Sequence, residues 1–128
     1  MSPKILIVDD VSEILDIMAA IFEQAGAKVV TATRGDEVLD MVRLAQKMGE
    51  QFDMLIVDIR MPKMNGNELA LKLRELPFDG PIIALTANYT VSGSSESKGS
   101  GITRYLSKET LSLDLAKALI NEHCKAKV

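Results

Sequence analysis

Five polar residues stand at or just after the ends of short apolar runs. Asp9 and Asp10 follow KILIV, Asp58 follows MLIV, Thr86 follows IIAL and Lys108 follows RYLS. Carboxylates held close together repel one another, and each has its pKa raised unless something offsets the charge. A hard divalent cation such as Mg²⁺ would do so, because it takes oxygen ligands and binds through one or two carboxylates plus phosphate oxygens. A Lys adds a movable positive charge suited to phosphate. A Thr hydroxyl can donate a hydrogen bond to a phosphate oxygen, and a carboxylate can itself accept a phosphoryl group as an aspartyl phosphate. Phosphoryl transfer needs positioning and charge neutralisation above all. Each residue also has an ordinary reading. Asp10 precedes a helical pattern and is placed to cap it, Thr86 would pass as a plain strand end, and Lys108 as a surface lysine. Only their shared placement at strand ends favours one chemistry.

That placement depends on the elements. Strand-like runs KILIV, AKVVTAT, FDMLIVD, GPIIALT and ITRYLS alternate with helical patterns. The first helix carries Val11, Ile14, Leu15, Met18, Ile21, Phe22 and Ala25 at helical spacing, with Gly26 as its stop. The second is predicted from about Gly35 to Met48 with Val38, Leu39, Val42 and Ala45 on one stripe. The third, NELALKLREL, aligns Leu69, Leu73 and Leu76. The last spans roughly Ser112 to Lys125, with Leu115, Leu119 and His123 four residues apart. Strands that read as unbroken apolar runs belong in a parallel sheet buried on both faces. Strand–helix alternation makes right-handed βαβ units. The expectation is an α/β fold with an open five-stranded parallel sheet and helices on both faces. In the order 2-1-3-4-5, strand order reverses between strands one and three, and ligands bind at that point. Asp9, Asp10 and Asp58 would meet there, flanked by Thr86 and Lys108.

Composition narrows the rest. At 128 residues the chain is read as a single domain, 1–128, with 47% hydrophobic residues and a net charge of −3. That charge leaves no nucleic-acid footprint. No apolar run is long enough to span a membrane and no signal segment is present, so a cytoplasmic protein without membrane contact is expected. The single cysteine, Cys124, excludes an internal disulfide. With His123 it reads as an ordinary helix residue.

The chain resembles the receiver domains of two-component response regulators, the CheY-like domains, over essentially its whole length. ILIVDD matches the acidic pair, and MLIVDIRMPKMNG the phospho-acceptor stretch with its Met-Pro and Asn-Gly turns. PIIALTAN and RYLSK match the fourth and fifth strands. The 2-1-3-4-5 order is the flavodoxin-like order of that family, so order and resemblance are not independent. The resemblance implies that Asp58 accepts phosphate from a phosphohistidine on a histidine kinase or histidine phosphotransfer protein. Asp10 and Asp58 would bind Mg²⁺ by side chains, Arg60 by its backbone carbonyl, and Asp9 largely through a metal-bound water. Lys108, Thr86 and the Ala87 N–H would contact the phosphoryl group. Thr86 and Tyr105 would move as a switch, with Tyr105 turning inward, and Arg60 and Asn88 would tune the lifetime of the phosphoryl group. Such a receiver is not an enzyme in the ordinary sense: it catalyses transfer to its own Asp and slow self-dephosphorylation. The wording of PIIALTAN and YLSK is most like receivers of hybrid histidine kinases, which implies a larger parent protein; a free-standing receiver is the alternative.

Two departures from that family stand out. Glu109 replaces the usual proline after the lysine, so a trans bond is expected there, and the reach of Lys108 is in question. Where a helix is due between strands four and five, SGSSESKGSG at 92–101 supplies eight Ser or Gly in ten residues. Ser and Gly disfavour helix, so that helix is expected to be short or disordered. Alternatives to a working receiver are a degenerate receiver acting as a constitutive interaction module and a small aspartate-nucleophile phosphohydrolase. The latter typically carries its nucleophile on the first strand with a second Asp two residues later; here Arg60 occupies that place. A flavin-binding protein of this fold is disfavoured by the absence of Trp and of a well-placed Tyr.

Overall fold

Successive residues of a strand point to opposite faces of a sheet, and this sorts the apolar runs into two core layers. The computed structural model describes residues 2–86 and 101–124. Its strands are β1 (Lys4–Val8), β2 (Lys28–Ala32), β3 (Met54–Asp58), β4 (Ile82–Thr86) and β5 (Arg104–Ser107). All pairs are parallel, in the order β2-β1-β3-β4-β5. The helices among the described residues are α1 (Ser12–Gln24), α2 (Gly35–Met48), α3 (Gly66–Glu75) and α4 (Leu113–His123), with a 3₁₀ turn at Lys108–Thr110. This is the expected flavodoxin-like architecture. No helix among the described residues is long and apolar enough to cross a membrane.

On one face Leu6, Val8, Leu55, Val57, Ile82 and Ala84 pack against Val38 and Val42 of α2 and Leu69 and Leu73 of α3. On the other, Ile5, Ile7, Met54, Ile56, Ile83 and Leu85 pack against Leu15, Met18 and Phe22 of α1 and Ala116, Leu119 and Ile120 of α4. Each fully buried Leu or Ile contributes about 2 kcal/mol. The central strands β1, β3 and β4 are the ones buried almost throughout; β2 and β5, at the edges, are partly exposed.

Local details refine the sequence reading. Val11 is not on the buried stripe of α1: it is the N-cap and is 43% exposed. The cap of α1 makes no side-chain hydrogen bond, so Asp10 does not cap this helix. The buried stripe of α4 runs through Ala116, Leu119 and Ile120, with Leu115 at its margin and His123 half-buried. The Ser/Gly segment 92–101, where a short or disordered helix is expected, lies outside the described residues apart from Gly101, and so do Ala87, Asn88 and Lys125.

Candidate functional site

The C-terminal ends of parallel strands share one edge of the sheet, and here they bring the acidic residues together. β1 pairs with β3 so that Val8 faces Val57, which sets Asp9 beside Asp58. Asp9 and Asp58 are buried and Asp10 is exposed. One carboxylate oxygen from each of the three lies within 4.8 Å of the others. Asp9 is fixed locally: its Oδ1 accepts from the Val11 N–H at 2.9 Å, and its own N–H donates to the Ala32 carbonyl. Asp58 Oδ1 accepts from the Arg60 N–H at 3.3 Å.

The turn after β3 is built for close approach. Asn65 caps α3 and forms a capping box with Glu68, two N-terminal donors satisfied reciprocally. Gly66 then passes so near β3 that a Cβ would lie 2.8 Å from the Asp58 carbonyl. Only glycine fits, which gives the Asn-Gly pair of the sequence a physical reason.

Lys108 supplies the positive charge. Its Nζ lies 2.8 Å from Asp9 Oδ2 and 3.2 Å from Asp58 Oδ1. Glu109 does not prevent this. Every peptide bond among the described residues is trans, and the chain after β5 enters the 3₁₀ turn. Glu109 is exposed, and its N–H donates to Ser107 Oγ at 3.2 Å, a bond that proline could not make. Thr86 is buried at the end of β4, in register with Ser107. Tyr105 is half-buried against the α2–α3 core layer, its hydroxyl donating to Asn67 Oδ1 of α3.

The charges settle accordingly. Burial, and next the Asp9 charge, push Asp58 up to about 6, while Lys108 and the Arg60 N–H pull the other way. Burial lowers Lys108, but its hydrogen bond to Asp9 and the charges of Asp58 and Asp9 outweigh this and hold it above its ordinary value. Three carboxylates against one ammonium leave an excess of negative charge on hard oxygen donors. That donor set fits a divalent cation. Cys124 lies elsewhere, lining a cleft with Asp53, Asp79 and His123. Burial, and then the Asp53 charge, push its thiol up to about 11, far from a reactive thiolate.

The sequence reading thus placed Asp9, Asp10, Asp58, Thr86 and Lys108 at one edge, and the structure brings them there. It did not anticipate the direct Lys108–Asp9 pair or the Asn67 contact of Tyr105. Neither has a local signal: the partners are 99 and 38 residues apart.

An open doubly wound sheet with a carboxylate trio and a lysine at its switch point defines a phosphoryl-accepting module. Residues 5–120 match the response regulator receiver domain family, and the chain belongs to that family. It is a receiver domain of the phospho-accepting kind used in two-component systems. The chain is similar to the response regulator SaeR of Staphylococcus epidermidis, 37% identical over 83 residues, which cover 65% of this chain and 34% of that protein. The matched stretch is therefore about a third of the relative's length. Among solved structures it is similar to a CheY-like receiver domain protein from Methanospirillum hungatei. That likeness has a TM-score of 0.83 and 28% identity, covering 99% of this chain and 98% of the other. It is also similar to the BeF₃-activated N-terminal receiver domain of Klebsiella pneumoniae RstA, with a TM-score of 0.80 and 28% identity, covering 94% and 97%.

Proposed function

We propose that Asp58 is the phosphoryl acceptor of a single receiver domain, and that a histidine kinase or histidine phosphotransfer protein, met in the cytoplasm, is its donor. The observation that carries this is the buried Asp58 carboxylate, set between Asp9 and Lys108. In the transfer an Asp58 oxygen attacks phosphorus. The P–N bond of the phosphohistidine breaks, an acyl phosphate forms, and the departing imidazole takes up a proton. With a pKa of about 6, Asp58 is mostly ionised at neutral pH, as a nucleophile must be.

Asp10 and Asp58, with Asp9 behind them and the Arg60 carbonyl, would hold Mg²⁺. When bound, it would neutralise the trio and the incoming phosphate oxygens. Lys108 is the group that would follow the charge: its Nζ, now on Asp9 and Asp58, would shift to a phosphoryl oxygen. Thr86 and the Ala87 N–H would supply further donors. Tyr105 would read the change and turn inward, as a two-state element biased by local charge. The BeF₃-activated state of the RstA receiver is in keeping with a phosphoryl mimic acting at such a site. A parent chain of the hybrid kinase type fits the wording of PIIALTAN and YLSK. Self-dephosphorylation would follow from water reaching the same acyl phosphate.

The test is intact mass after incubation with acetyl phosphate, with Mg²⁺ or with chelator, beside Asp58→Asn. One phosphoryl group gained only with Mg²⁺ and only with Asp58 present is expected. No gain in the wild type under any condition would show that the site does not accept phosphate.

A further inference from the structure

Among the described residues β5 is a lightly held strand. It lies at an edge of the sheet, pairs with β4, and all four of its residues are partly exposed. Two side chains tie this end of the chain to elements beyond β4. Just after β5, Lys108 reaches Asp9 and Asp58. Within β5, Tyr105 reaches Asn67 of α3. The first tie belongs to the acceptor site. The second does not.

Tyr105 and Leu106 point to opposite faces of the sheet, Tyr105 toward the α2–α3 layer and Leu106 toward the α1–α4 layer. The register partner of Tyr105 on β4 is Ala84, a small residue on that same face. Its single methyl leaves the phenol a path across β4 to α3. Asn67 is the second residue of α3, and its backbone is fixed by the residue before it. The Gly66 N–H donates to the Ile59 carbonyl at 3.0 Å, and a Cβ on Gly66 would lie 2.8 Å from the Asp58 carbonyl. The Asn65–Glu68 capping box closes the same turn. Asn67 thus stands on the segment that carries the acceptor, and its Oδ1 accepts from the Tyr105 hydroxyl. Both side chains are half-buried.

We propose that Asn67 is a positioning residue for the aromatic switch: its Oδ1 latches Tyr105 in the unphosphorylated state and so lowers the affinity of the domain for a phosphoryl group. This rests on Asp58 as the acceptor and on Tyr105 as the residue that turns. Rotation of the ring about its Cα–Cβ bond carries the hydroxyl away from Asn67, so the bond is made in one state and lost in the other. A ligand shifts a two-state equilibrium only by its differential affinity for the states. A hydrogen bond between neutral groups favours the state that makes it by about five-fold. Where the binding-competent state is the minor one, apparent affinity falls by the same factor. The pull on the latch comes from nearby: Lys108, which follows the phosphoryl charge, is separated from Tyr105 by Leu106 and Ser107 alone.

The probe is beryllofluoride with Mg²⁺, titrated by calorimetry into wild type, Asn67→Leu, Tyr105→Phe and the double variant. Asn67→Leu removes the acceptor oxygen at similar size, and Tyr105→Phe removes the hydroxyl but keeps the ring. Each single variant is expected to bind beryllofluoride about five-fold more tightly than wild type. The double variant should bind no more tightly than either single, because the same bond is lost in all three. Two residues that only pack would give effects that multiply. Unchanged or weaker binding by a folded single variant would overturn the proposal, and so would a double variant whose gain is the product of the two. Should Asn67→Leu not fold, Tyr105→Phe decides. Failure of wild type to bind beryllofluoride with Mg²⁺ would instead strike the acceptor reading beneath it.

Discussion

Lys108 Nζ sits 2.8 Å from Asp9 Oδ2, across 99 residues of chain. Asp9 is fully buried and Lys108 largely so. Removing one partner of such a pair leaves the other buried without its counter-charge, which costs more than the pair contributes. Lys108→Met is therefore expected to lower stability by about 2 kcal/mol in chelator, below the 3–5 kcal/mol of a wholly buried pair because the lysine is partly solvated. Added Mg²⁺ should reduce that loss, since it takes over the neutralisation. Urea unfolding with and without Mg²⁺ measures both. An equal loss in the two conditions would mean that lysine and cation do not share the same carboxylates.

Asp58 gives the opposite sign. Its folded pKa, about 6, lies above the ordinary 3.8 because of burial and the Asp9 charge. A raised carboxyl pKa means that the folded protein binds the proton more tightly. The stability from that proton is fully present below about 3.8 and is lost as pH rises through about 6. A shift of roughly two units is worth on the order of 3 kcal/mol at most. In chelator, Asp58→Asn should thus be more stable than wild type at pH 8, by about 1–2 kcal/mol after loss of the Lys108 contact. The difference should shrink steadily from pH 7 to pH 4. Denaturation midpoints across that range are the measurement.

These two residues also show what could be seen in the sequence. Asp9, Asp10, Asp58, Thr86 and Lys108 were legible because each ends an apolar run, and a parallel sheet gathers such ends at one edge. The central strands were legible for the same reason, being apolar throughout. What escaped were contacts set by packing alone. The Lys108–Asp9 pair and the Tyr105–Asn67 hydrogen bond each join distant segments by side-chain length and direction. Val11 misled because its apolar character suits the α1 stripe, yet the helix begins one residue later. The effect of Glu109 depended on which backbone path replaces the usual proline, and no periodicity encodes that.

Arg74, unremarked in the sequence, binds four ways. Its Nη1 donates to the carbonyls of Phe78 and Gly80, and its Nε and Nη2 both donate to that of Gly101. The guanidinium thereby ties the end of α3 and the approach to β4 to the chain that leads into β5. Arg74→Ala would strand three carbonyls, each costing about 1 kcal/mol or more where water does not replace the donor. A loss of about 2–3 kcal/mol is expected, with an unchanged denaturant slope. Arg74→Lys should recover little, because an ammonium cannot reproduce the fork. Full recovery by lysine would reduce the contact to simple charge.

Glu109 leads to the sharpest test of the turn that carries Lys108. Lys108 begins the 3₁₀ turn, and the Glu109 N–H donates to Ser107 Oγ. Proline at 109 would remove that donor and disfavour the helical backbone of the preceding lysine. Glu109→Pro, although it restores the family's usual residue, is therefore expected to cost about 1–2 kcal/mol and to slow loading by acetyl phosphate several-fold as Lys108 shifts. Glu109→Ala keeps the N–H and should change neither by more than about 0.5 kcal/mol. Urea midpoints and loading rates on the two variants separate backbone from side chain. If the proline variant matched wild type in both, the turn would have no part in placing Lys108.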